Sequence, residues 1–167
     1  MDLFFDIDLG GMSIGSGHEI MVKQVITVSE NDSVKTALKT FVNHNISGIP
    51  VINSKNEPVG YISDGDIMKY IGYRDPSVFF FDLAIYPSSW IMNQTFEEKI
   101  KDLQNFNVMD IAKTKVITVQ YNEEIEKVAK VLGDKNIKQV PVVKDKKLVG
   151  IISRRDIVRY IVSNYLD

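Results

Sequence analysis

Gly-x-x-Ser-x-x-Asp occurs twice in this chain, at Gly60, Ser63 and Asp66 and again at Gly150, Ser153 and Asp156. Each copy follows a short apolar run and opens a stretch with helical spacing, Ile67 and Ile71 in one case, Ile157 and Ile161 in the other. Such a serine can accept from the backbone N–H three residues on while the aspartate reaches back, which is a capping box and purely structural. The same geometry also supports binding. Exposed N–H groups at a helix start attract a phosphate, and an aspartate one turn in can accept from both hydroxyls of a ribose. A single copy favours the structural reading, whereas two symmetrically placed copies favour a site. Arg154 and Arg155 follow Ser153 in the second copy, where Asp64 and Gly65 follow Ser63 in the first.

Other chemistry has little material. The chain holds no cysteine and two histidines, His18 after a glycine-rich stretch and His44 at the end of an amphipathic segment. Neither has the spacing of a zinc site, and surface or cap roles suit both better than catalysis. An enzyme is therefore not expected, and neither is a metal. The stretch Gly10 to Gly17 suggests a phosphate loop, but Ser16 stands where the P-loop pattern needs lysine.

The elements that would carry the two turns are themselves duplicated. Val25-Ile26-Thr27-Val28 returns as Val116-Ile117-Thr118-Val119, and Ile49-Pro50-Val51 returns as Val140-Pro141-Val142. The offset is 91 residues through the prolines and 90 from the glycines on, so one residue is missing from the polar turn at Asp145-Lys146. Each copy reads as strand, helix, strand, strand, helix. In the first, Asn31, Asp32 and Ser33 offer caps before Val34, Ala37, Leu38, Phe41 and Val42, which share a helical face. In the second, Asn122 is the expected cap before Ile125, Val128, Ala129 and Leu132. The strands are read at 25–28, 49–52, 59–62, 139–143 and 148–152. One unit of about fifty residues buries too little surface alone, so the fold class is α/β (α+β), with two β-α-β-β-α repeats packed sheet to sheet about a pseudo-twofold axis. The domains are a flexible arm at 1–16, repeat one at 17–71, an aromatic-rich insert or linker at 72–107 and repeat two at 108–167. The insert holds Tyr73, Phe79, Phe80, Phe81, Tyr86, Trp90, Phe96 and Phe106, and a helix is expected from about Thr95 to Leu103.

The chain is 44% hydrophobic with a net charge of -2, which allows a sizeable core and offers no broad basic field for duplex nucleic acid. No run approaches the ~20 apolar residues of a membrane span. The absence of cysteine and of a signal-like start favours a cytoplasmic location.

On the two Gly-x-x-Ser-x-x-Asp turns, the Ile49-Pro50-Val51 and Val140-Pro141-Val142 strands, and the lead-ins Glu19-Ile20-Met21 and Asp110-Ile111-Ala112, residues 17–71 and 108–162 resemble a tandem pair of CBS domains, a Bateman module. The resemblance implies two clefts, each assembled across the repeats and commonly occupied by adenosine-containing ligands. Carried over, one cleft combines Met21, Ile26, Ile46, Ser47, Gly48, Ile49 and Pro50 around the base with Ser153, Arg154, Arg155 and Asp156. The other combines Ala112, Ile117, Ile137, Lys138, Gln139, Val140 and Pro141 with Ser63 and Asp66. By the same carry-over Arg154 and Arg155 lie close to the phosphate, their alternative being a solvated helix start. The sites are expected to be unequal, the one at Asp156 the stronger, because Asp64 and Gly65 replace the two arginines in the other cleft and put a carboxylate near any bound anion, for which Lys138 partly compensates. The resemblance implies a regulatory module for AMP, ADP or ATP, with S-adenosylmethionine and cyclic dinucleotides as further candidates. It also implies a homodimer through the second helices, and a separate regulated protein is compatible with the lack of an effector domain. The alternative is a structural or dimerisation module with no physiological nucleotide.

Overall fold

The computed structural model describes residues 15–72 and 94–166. The expected arm, except Gly15 and Ser16, and the aromatics from Tyr73 to Trp90 lie outside the described residues. The element order is α1 (Gly17–Ile20), β1 (Val28–Ser29), α2 (Val34–His44), β2 (Gly48–Ile52), β3 (Pro58–Ser63), α3 (Asp64–Gly72), α4 (Phe96–Leu103) and α5 (Val108–Ile111). It continues with β4 (Val119–Gln120), α6 (Ile125–Asp134), β5 (Gln139–Lys144), β6 (Lys147–Ser153), α7 (Arg154–Ile161) and a π-helical turn (Val162–Leu166).

Each repeat builds one three-stranded sheet, β1-β2-β3 and β4-β5-β6. In each, the first strand runs parallel to the second and the second antiparallel to the third, with a bulge at Val51/Ile52 and at the equivalent Val142/Val143. The opening strand is shorter than the expected 25–28. Val28 pairs with Val51, so Thr27 falls opposite Pro50, which has no N–H to give, and the ladder stops there. The missing residue is visible in the second hairpin. Lys144 pairs with Lys147, and the two turn residues Asp145 and Lys146 both have positive φ, as a tight two-residue turn demands.

The helices follow their patterns with two departures. On α2, Ser33 Oγ accepts from Thr36 N, Asn45 closes the helix in the left-handed region, and Val34, Ala37 and Phe41 are buried. Val42 is not part of that face: it is 80% exposed, because it lies about 80° round the helix from Val34. On α6 the cap position is Glu124, not Asn122, and no side chain caps it. Backbone ahead of the other repeat caps it instead, since Ile125 N donates to Gly15 O at 3.0 Å, and Gly17 N donating to Glu123 O at 2.7 Å holds the two segments together. The expected helix after Thr95 is α4, with Thr95 as its cap.

Two hydrophobic cores result, and each borrows its neighbour's lead-in. The first holds Val34, Phe41, Ile49, Val51, Ile62 and Ile67 together with Leu103, Val108 and Ile111. The second holds Val128, Leu132, Val140, Val142, Ile152 and Ile157, with Ile20 and Met21 packed against it. The exchange is hydrogen-bonded: Val34 N donates to Phe106 O and Val108 N to Asp32 O, both at 2.8 Å, while Val22 and Ile151 exchange backbone bonds at 2.9 and 3.0 Å. Tyr61 and Lys113 exchange the equivalent pair at 3.0 and 2.9 Å. Removing either lead-in would open a core in the opposite repeat, so the pair is the folding unit.

Candidate functional site

The two Ser-x-x-Asp turns open α3 and α7, and both form capping boxes. Asp66 Oδ2 accepts from Ser63 N at 2.9 Å and from Ser63 Oγ at 2.6 Å. Asp156 Oδ2 accepts from Ser153 N at 2.8 Å and from Ser153 Oγ at 2.6 Å. Both carboxylates are nearly buried, at 7% and 8% exposure. The cap uses one oxygen of each. The other oxygen faces a single solvent-exposed cation: Lys113 Nζ lies 3.6 Å from Asp66 Oδ1, and Arg159 Nη1 lies 3.4 Å from Asp156 Oδ1. Exposed cations are held weakly, by about 0–1 kcal/mol in a typical surface pair, so each Oδ1 can exchange its partner for a hydroxyl donor. The Lys113 pair crosses between repeats, whereas Arg159 belongs to the helix that carries Asp156.

The lead-ins reach the opposite turns as the cross-repeat assembly requires. Met21 covers Gly150, its Cγ and Cβ lying 2.8 and 3.1 Å from where a Cβ would sit, and Ala112 covers Gly60 at 3.4 Å. Each glycine stands on the strand that ends in the motif serine, so Met21 is brought to the Asp156 side and Ala112 to the Asp66 side. Ile49, Pro50, Val140 and Pro141 are wholly buried in the sheets and present only backbone. Ile26, Ile46, Ile117 and Ile137 are half-buried at the sheet margins. Ser47 and Lys138 are exposed, and their carbonyls accept from Asp64 N at 2.9 Å and Arg154 N at 3.0 Å, which stitches each loop to its helix start.

The charged neighbours divide by role. The Arg154 guanidinium donates to Ile137 O at 2.8 Å, Leu132 O at 3.2 Å and Asn136 Oδ1 at 3.1 Å, tying down the end of α6. Arg155 is exposed and has no bonded partner among the described residues. Asp64 is exposed, and its Oδ1 accepts from Gly65 N at 2.7 Å.

Three site residues are invisible to motif reasoning: Lys113, Arg159 and Tyr61. Tyr61 lies against Gly48, where a Cβ would come within 2.9 Å of ring atoms Cε1 and Cζ, so only glycine fits. Gln139 Nε2 donates both to Gly48 O at 2.9 Å and to the Tyr61 hydroxyl. Burial pushes the Tyr61 phenol up to about 12, Asp66 and Asp64 reinforce the rise, and the Gln139 donor opposes it. The signal for Tyr61 was its isoleucine counterpart, Ile151, at the matching strand position of the second copy. His18 takes a cap role: its Nδ1 shares a hydrogen bond with Ser16 Oγ at 2.8 Å and its ring stacks on Tyr121 at 4.7 Å. Among the described residues no group of three or more histidine, cysteine, aspartate or glutamate side chains could hold a metal ion, and no helix is long and apolar enough to cross a membrane.

The CBS domain family matches residues 17–73 and 108–163, well over half of the chain. Among curated proteins of Methanocaldococcus jannaschii, one uncharacterised relative is 31% identical over 143 residues, which are 86% of this chain and 31% of that protein. A second uncharacterised protein of the same organism is 30% identical over 151 residues, covering 86% of this chain and 89% of its own. The chain thus spans about a third of one relative and most of the other. Among solved structures, a CBS domain pair in complex with 5′-methylthioadenosine and S-adenosyl-L-methionine superposes with a TM-score of 0.64 at 28% identity, covering 90% of this chain and 98% of that one.

Proposed function

The chain belongs to the CBS domain family, and from that premise we propose that it is a regulatory ligand-sensing module whose cross-repeat clefts take adenosine-containing small molecules. The observation that carries the reading is the second oxygen of each motif aspartate. Asp156 Oδ1, nearly buried and faced by the exposed end of Arg159, is a preset acceptor for a ribose diol, while Met21 and the half-buried Ile26 and Ile46 offer apolar surface for a base. The relative solved with 5′-methylthioadenosine and S-adenosyl-L-methionine supports the adenosine moiety. Arg155 supports a phosphate-bearing choice, AMP, ADP or ATP, at the Asp156 cleft. Ligand binding would bias the relative orientation of the repeats in proportion to its differential affinity for their arrangements, and the readout would pass to a separate protein in the cytoplasm. A homodimer fits the exposed apolar face of the second helices, where Met68, Val158 and Ile161 remain uncovered while Ile67 and Ile157 serve the cores.

The second reading is a structural or dimerisation module, favoured by the completeness of both capping boxes, which account for both serines and both aspartates without a ligand. A melting scan separates the two. An adenosine ligand at a hundred times its dissociation constant should stabilise the protein by about 2.7 kcal/mol. No shift with AMP, ADP, ATP, 5′-methylthioadenosine or S-adenosyl-L-methionine would leave the structural reading.

A further inference from the structure

The two clefts differ at three equivalent positions, two of them on the side of Asp66 and the third at the boundary between the repeats. Tyr61 matches Ile151 and Lys113 matches Val22, as the paired cross-repeat bridges Tyr61↔Lys113 and Val22↔Ile151 show. Gln139 matches Gly48, each opening the second strand and pairing with its motif serine. The side of Asp66 therefore has tyrosine and lysine where the side of Asp156 has isoleucine and valine, while Gln139, whose backbone lies beside Ser153, sends its side chain across the repeat boundary to Tyr61.

These three polar groups are engaged with one another or with Asp66. Lys113 Nζ lies 3.6 Å from Asp66 Oδ1. Tyr61 and Ser63 stand two apart on β3 and so share a sheet face, which directs the phenol to the side where the Asp66 cap forms. Gln139 then uses both amide hydrogens across the repeat boundary, on Gly48 O and the Tyr61 hydroxyl. The ring fits because residue 48 has no side chain, since a Cβ there would meet ring carbons at 2.9 Å.

We propose that Tyr61 and Gln139 form a latch between the repeats that restricts the Asp66 cleft, so that the first ligand is taken at Asp156 and a second only when the latch opens. The proposal rests on the adenosine-sensing reading. A molecule seated at Asp66 must detach Lys113 from Oδ1 and displace a desolvated phenol from its only side-chain donor among the described residues. At Asp156 the corresponding Ile151 and Gly48 offer no such bond, and only the exposed Arg159 must move. The device makes binding sequential and ties the second event to a change in how the repeats meet, because Gln139 and Tyr61 sit on opposite sheets.

Calorimetric titration of the whole chain with AMP, and separately with S-adenosyl-L-methionine, tests this in wild type, Tyr61→Ile and Gln139→Gly, which install the residues of the other copy. The latch predicts one tight site per chain in wild type and a second site at least tenfold weaker. In Tyr61→Ile the second site should tighten about tenfold, with the first unchanged. Two equal sites in wild type, or an unmoved second site in a folded Tyr61→Ile protein, would overturn it. If neither probe binds any of the proteins, the adenosine reading fails, and the latch is judged without ligand by a double-mutant cycle of Tyr61→Phe and Gln139→Ala in thermal melts. Non-additive losses would sustain a latch between repeats, and additive losses would refute it.

Discussion

Replacing Asp156 with alanine removes a carboxylate whose two oxygens make separate contacts. Its Oδ2 accepts from Ser153 N at 2.8 Å and Ser153 Oγ at 2.6 Å, closing the start of α7. Ser153 Oγ can still accept from the N–H of residue 156, now 3.3 Å away, so only half of the capping box is lost. A lost cap costs about 0.5–2 kcal/mol, and a bond to a charged acceptor about 1.5–3 kcal/mol. Because the two descriptions overlap, a total near ~2 kcal/mol is expected, the 67%-exposed Arg159 partner adding little. At this chain length that lowers the melting temperature by about 4–8 °C. The protein stays folded, so the ligand contact proposed for Oδ1 can be tested at a temperature well below the melt. Asp66→Ala should lose a similar amount, since its cap bonds are 2.9 and 2.6 Å. Circular-dichroism melts of both variants beside wild type are the assay. A shift below about 1 °C in either variant would show that the caps do not hold these helices, and the division of labour between Oδ2 and Oδ1 would fall with it.

Three further outcomes follow from the packing and the charges. Leu103→Ala, a substitution in the segment before the second repeat, should cost about 2–5 kcal/mol in denaturant unfolding, because Leu103 is wholly buried in the core of the first repeat; a loss under about 1 kcal/mol would contradict the exchanged lead-ins. Arg154→Ala should lower the melting temperature through the lost bonds to Ile137 O, Leu132 O and Asn136 Oδ1, whereas Arg155→Ala should leave it unchanged and weaken AMP more than adenosine; the reverse assignment would show that Arg154 reads the phosphate. The Tyr61 phenol is pushed from 10.0 up to about 12, so the fold favours its neutral form, and the stabilisation is complete below pH 10 and lost as pH rises from about 10 to 12. Wild type should therefore lose stability relative to Tyr61→Phe across that window, and parallel curves would remove Tyr61 from the buried interface.

The duplication was legible because it is written in residue types that each packed unit needs: the β-branched strands, the buried prolines and the serine–aspartate caps return in order. The element boundaries were less so. The first strand shortens because Pro50 interrupts its ladder, a pairing that becomes known only with the register, and α6 starts without Asn122 because the Gly15 carbonyl serves it instead. Local pattern also hides exchange. Leu103 lies in the insert and Val108, Ile20 and Met21 at the openings of their repeats, and only the fold shows that Leu103 and Val108 complete the first core and Ile20 and Met21 pack on the second. Within the site, Ser63, Asp66, Ser153 and Asp156 carried a motif and could be read from it. Arg154 looked like a phosphate ligand because its neighbours are motif residues, yet its guanidinium reaches carbonyls at the end of α6. Lys113 and Tyr61 carry no motif at all, and their meaning comes from asymmetry, a lysine and a tyrosine where the matching copy has Val22 and Ile151.

The proposed sensing cleft depends on Asp156 holding a ribose diol with the oxygen its cap leaves over. Its most direct test is calorimetric titration of AMP into wild type and Asp156→Ala, both at a temperature where each is folded. Saturable binding in wild type that weakens about 10- to 150-fold in the variant, the loss of a charged acceptor worth about 1.5–3 kcal/mol, is the predicted result. Equal affinities in two folded proteins would contradict it and leave Asp156 as a helix cap alone.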